Sequence, residues 1–152
     1  MFDAVASDRD SAIKWLNGVL NSVRQCGQFS RVPTATKTWV NISATTSATV
    51  HYSIARKSHP NTVKVGLFFE TDDESINERM LISLEKYKLG LEKSVGMQII
   101  WGRKIGTKRR FAEFERPADL GDRPLRDWTV QTLLKFHDVC QPFLTELGLT
   151  RK

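Results

Sequence analysis

The residues best suited to chemistry lie in one short segment, Trp101-Gly-Arg-Lys-Ile-Gly-Thr-Lys-Arg-Arg110. Arg103, Lys104, Lys108, Arg109 and Arg110 crowd a single turn, beside Trp101 and Phe111. Like charges this close repel, so a partner must offset the cost. Phosphates would do so, because each one neutralised by Arg or Lys releases counterions. An aromatic ring beside the cations can stack on an exposed base, and a two-stranded ribbon can enter a major groove. Two other readings stay open. The cations can guard a sheet edge against pairing with other chains, or they can pair with Glu70 to Glu74 or with Glu113 and Glu115. Arg56 and Lys57 are the further candidates for a basic binding surface.

Catalytic constellations are harder to find. A metal centre needs several His, Cys or carboxylate ligands at usable spacing, and His51, His59 and His137 are scattered. No metal site and no cofactor is therefore read from the chain. A G-x-S-x-G elbow and a phosphate-cradling glycine loop are both missing. A metal-dependent nuclease would want carboxylates near strand ends to hold the ion and activate water. Glu70, Glu113 and Glu115 are its only candidates, with Glu113 and Glu115 sharing a strand face. Binding is read ahead of catalysis, and whether the chain is an enzyme stays open.

The elements that must position these residues follow from periodicity. A first helix runs from a cap at Asp8 or Asp10 through Ile13, Leu16, Val19, Leu20 and Val23 to a stop at Gly27. Strands are expected at Trp39–Ser43, Val50–Arg56 and Thr62–Phe69, with turns at 44–48 and at Ser58-His59-Pro60-Asn61. A second helix opens on a capping box at Ser75 and Glu78. It continues on the stripe Met80, Leu81, Leu84, Tyr87, Leu91 and Val95, with a Lys88–Glu92 pair, to Gly96. Met97–Trp101 and Phe111–Glu115 form a hairpin of strands. A last helix is capped by Asp127 and closed by Gly148, with Pro142 expected to kink or split it. The order α-β-β-β-α-β-β-α, joined mostly by hairpins, predicts a two-layer α+β domain. It has about five mainly antiparallel strands and three helices on one face.

These residues resemble the bacterial and archaeal family called domain of unknown function 4268. The likeness rests on Trp39-Val-Asn-Ile42, Val63-Lys-Val-Gly-Leu-Phe-Phe69 and Leu84-Glu-Lys-Tyr-Lys-Leu-Gly-Leu-Glu92. It continues in Gly96-Met-Gln-Ile-Ile-Trp101 with the basic hairpin after it, Trp128, Leu133-Leu-Lys-Phe136 and Pro142-Phe-Leu144. It covers roughly residues 10–147. The family has no established activity, but many members follow a restriction-nuclease-like region, so the resemblance implies a DNA-related or defence setting. It supplies no functional residues. Without that nuclease-like region, binding or partner recognition is expected of this chain rather than cleavage.

Composition sets the outer bounds. The chain has 152 residues, 40% hydrophobic and 26% charged, with two cysteines. That predicts one domain over residues 1–152, with Cys26 and Cys140 reduced and not bridged. No apolar run reaches the roughly 20 residues of a membrane span. The acidic first ten residues do not read as a signal peptide, so a cytoplasmic location without membrane contact is expected. The net charge of +6 is unevenly placed. Residues 1–69 carry 8 basic and 3 acidic residues, 70–100 carry 4 and 7, and 101–152 carry 11 and 7. A field of one sign draws in polyanions. The leading expectation is a non-catalytic nucleic-acid-binding or accessory domain. The alternative is a protein-interaction or homodimerisation module, and a metal-dependent nuclease comes third.

Overall fold

A computed structural model describes residues 8–29, 31–44, 49–58, 61–103 and 106–146 of the chain. His59, Pro60, Lys104, Leu147, Gly148 and most of the expected 44–48 turn lie outside the described residues. The elements are α1 (Asp8–Cys26), β1 (Trp39–Ser43), β2 (Val50–Ser58), β3 (Asn61–Phe69), α2 (Glu74–Glu85), α3 (Lys88–Val95), β4 (Ile100–Gly102), β5 (Arg110–Pro117) and α4 (Asp122–Glu146). The five strands form one sheet in the order β1-β2-β3-β5-β4, and every neighbouring pair is antiparallel. The α+β class expected from the sequence holds.

Period-two alternation builds the two faces of the sheet. Val40, Ile42, Tyr52, Ile54, Val65, Leu67, Phe69, Ala112 and Phe114 are buried on one face. The core cluster joins them to Leu16, Val19 and Leu20 of α1 and to Leu133, Phe136, Cys140 and Leu144 of α4. The opposite face carries no helix among the described residues. Gly27 ends α1 at φ 70°, the left-handed value that favours glycine. Cys26 is exposed and Cys140 buried, and both are free thiols. Among the described residues no helix is long and apolar enough to cross a membrane.

Four helices replace the expected three. The stripe from Met80 to Val95 is interrupted after Glu85, where the Lys86 and Tyr87 amides donate to the carbonyls of Ser83 and Leu84. These three-residue closures tighten the turn and end α2, and α3 begins one residue later. The cap of α2 also differs from the expected Ser75–Glu78 box. Asp73 is the N-cap, and its carboxylate accepts from the Ser75 and Ile76 amides at 2.9 and 3.3 Å. Asp8 and Asp10 both lie within the first turn of α1. β4 is shorter than expected because the Ile99 amide donates to the Glu92 carboxylate at 2.8 Å and not to a strand. The same bond occupies Glu92, which was expected to pair with Lys88. α4 starts at Asp122, before Asp127, and runs through Pro142 without being split.

Candidate nucleic-acid interface

Alternation along β5 and its lead-in sends consecutive cations to opposite sides of the sheet. Arg110 pairs in register with Phe69 and turns toward the helices. Its side chain is only 7% exposed. Nε donates to Glu78 at 2.8 Å and Nη2 to Glu74 at 2.7 Å. Nη1 donates to the carbonyls of Thr107 and Arg109. The Arg110 hydrogen bond holds the Glu78 carboxyl below its ordinary range. Arg103 binds the same helix through Glu78 and Glu85. Two of the five hairpin cations are thus committed to the acidic side of α2.

Asn77 completes that attachment. It is fully buried and all of its polar capacity is used. Nδ2 donates to the carbonyls of Thr71 and Lys108 at 3.0 and 2.9 Å. Oδ1 accepts from the Thr71 amide and hydroxyl. The Lys108 backbone is fixed in this way while its side chain stays exposed. Trp101 sits opposite Ala112 and is half-buried against the core.

Arg56 and Lys57 also part company. The Arg56 guanidinium lies over the Trp15 ring at 5.0 Å on the helix side. Burial lowers its pKa, with Asp122 acting in the opposite sense. Lys57 lines the open face. Of the candidate binding residues, the structure brings Arg109 and Lys57 to the open sheet face. Lys108 joins Arg109 at the hairpin edge.

The open face is organised in rows, because cross-strand partners stand side by side. Ser43, His51, Phe68, Phe111 and Gly102 form one row across all five strands. Within it His51 stacks on Phe68 at 5.7 Å and Phe68 on Phe111 at 4.8 Å. A Cβ on Gly102 would fall 2.1 Å from the Phe111 ring, so only glycine lets the ring lean over β4. The Arg109 guanidinium is 5.3 Å from both phenylalanine centroids and therefore straddles their seam. Its side chain is 55% exposed. Glu70 joins the ends of the arrangement, at 2.8 Å from His51 Nε2 and 3.7 Å from Arg109 Nη1.

The next row is Asn41, Ser53, Gly66, Glu113 and Ile100. Its centre is nearly flat. A Cβ on Gly66 would come within 2.6 Å of Glu113 Cβ and 2.7 Å of the Ala112 carbonyl. The third row holds Trp39, Ala55, Lys64 and Glu115. Between the ring row and Trp39 lies a basin of about 360 Å³. Lys64 reaches Glu113 at 3.6 Å, and burial raises the Glu113 pKa. Glu70 and Glu113, two of the three nuclease candidates, are therefore engaged by His51, Arg109 and Lys64. Among the described residues no three metal-ligating side chains gather.

Residue spacing alone pointed to the hairpin but not to the basin. Its walls come from β1, β2, β3 and β5, and only strand register aligns them. No family model, curated protein or solved structure matches the chain.

Proposed function

We propose that this chain is a non-catalytic nucleic-acid-binding or accessory domain that uses its open sheet face and the adjoining hairpin edge. The observation that carries the reading is Arg109. It is an exposed guanidinium held over two aromatic rings, beside Lys108, while its sequence neighbour Arg110 is consumed by structure. A planar guanidinium suits both phosphate and base stacking. A cytoplasmic location, membership of the domain of unknown function 4268 family and a DNA-related defence setting belong to the same proposal. The family and the defence setting rest on the sequence resemblance, and the location on the composition with its two cysteines.

Fluorescence polarisation with labelled single-stranded and duplex DNA and RNA at low salt tests the reading. Binding is expected, weakened by about tenfold or more in Arg109→Glu, with thermal stability retained. Absence of binding to every oligonucleotide at low salt rejects it.

A homodimer or protein-binding face is the second reading. It is favoured by Trp39 and Ile100, 46% and 44% exposed at the two edge strands of the same open face. Light scattering giving twice the chain mass in the absence of nucleic acid would favour it.

A further inference from the structure

We propose that the basin floored by Ser53 and Ala55 receives one unpaired base, so that the preferred ligand is single-stranded nucleic acid and not duplex. This rests on the nucleic-acid reading above and specifies the ligand.

The floor is made of two small side chains, Ser53 and Ala55, and the adjoining Gly66, opposite Ser53, cannot be enlarged without striking Ala112 and Glu113. The depression is therefore built into the sheet. It spans from His51 to Ala55 along β2, four residues or about 13 Å. At about 360 Å³ it falls within the ~300–1,000 Å³ of small-ligand sites. A base stacked and paired inside a duplex is held by its neighbours and its partner and cannot turn its face down into the depression. A base swung out of a single strand can.

The walls fit a base chemically. His51, Phe68 and Phe111 stack in a row, with Phe68 in the middle, and all three rings line the basin. Ring edges carry partial positive charge and favour contact with the face of another π-system. Trp39 stands across the basin, with Lys37 4.9 Å from its ring. Asn41 and the Ser53 hydroxyl supply donors and acceptors for base edges.

Charge also selects the occupant. Lys57, Lys64 and Arg109 line the basin along with Glu70 and Glu113. Both carboxylates are already engaged, by His51 and Arg109 and by Lys64. Lys57 makes no ion pair among the described residues. Cations thus stand at both ends of the basin, where the backbone of a strand leaving its base would pass.

The test compares a labelled short oligothymidylate, its abasic counterpart of equal length and a duplex of equal length, all by polarisation at low salt. The wild-type chain should bind the oligothymidylate about tenfold or more tightly than either control. Oligothymidylate should quench tryptophan fluorescence, and Trp39→Phe should remove that quench. Ser53→Phe, which fills the basin, should abolish the preference while binding of the abasic strand persists. Should Ser53→Phe fail to fold by circular dichroism, the wild-type comparison and the Trp39 quench decide alone. Equal affinity for all three ligands overturns the basin assignment and leaves hairpin binding standing. No binding to any of them rejects both.

Discussion

Arg109 and Arg110 are chemically identical neighbours with opposite tasks, and the difference is one step of strand alternation. Arg110 lies under α2 and makes four hydrogen bonds, two of them to carboxylates. Removing Arg110 leaves Glu74 and Glu78, 51% and 31% exposed, partly compensated by water, so the lost charged hydrogen bonds cost about 1.5–3 kcal/mol. Arg110→Met should therefore lower stability by about that amount in urea denaturation. The loss should depend on pH. Glu78, bonded first of all by Arg110, gives up its proton more readily in the folded chain than in the unfolded one. Its contribution is complete above the ordinary carboxylate value of 4.5 and drains as pH falls through the lowered folded value. Glu113 acts in the opposite sense. Its raised pKa makes its contribution fall as pH rises from the ordinary value through the folded one. Denaturation followed from neutral pH to about pH 3 should show wild type and Arg110→Met converging in acid. Parallel curves would show that the Glu78 pairing does not carry the effect.

At the scale of elements, local signals were most legible where the chain itself decides the structure. β1 has the expected bounds, and β2 and β3 are longer by two residues and one. Alternation and turn residues act within a few positions, so they can be read directly. α2 and α3 show where such reading fails. The apolar stripe continues in phase across Lys86 and Tyr87, so periodicity cannot register the break. The Ser75–Glu78 pattern satisfies the capping rule, yet Glu78 has two arginines to bind and Asp73 reaches the amides instead. Those arginines come from 25 and 32 positions away. Asn77 looks like an ordinary polar residue in an amphipathic helix, and its task depends on the Lys108 carbonyl, 31 positions distant. It is the strap between α2 and the hairpin. Asn77→Ala leaves two carbonyls and the Thr71 amide without their partner, at about 1–3 kcal/mol for each buried group so exposed. A loss of about 3 kcal/mol in urea-midpoint analysis is expected. Exchange of the 106–110 amides should accelerate more than that of β2. Uniform acceleration across the sheet would argue that Asn77 supports the whole core and not this strap.

For the whole molecule, the charge of +6 is a poor guide until the sheet separates its contributors. The acid-bearing side of α2 takes up Arg103 and Arg110, and Arg56 lies against Trp15. The hairpin cluster that dominates the sequence is thus divided between holding the fold and facing solvent. On the proposed reading, fewer cations are left to meet phosphate than the segment holds. Salt dependence measures that number, because each phosphate contact adds about one to the slope of log affinity against log salt. Lys108→Gln and Arg109→Gln should each reduce the slope by about one and add when combined, since each side chain is exposed on the same edge. Arg103→Gln should leave the slope unchanged at conditions where the variant remains folded, because its guanidinium is already neutralised by Glu78 and Glu85. A slope that drops equally for Arg103→Gln and Arg109→Gln would mean that the α2 pairs open on binding. The interface would then include the helix side of the hairpin and not the sheet face alone.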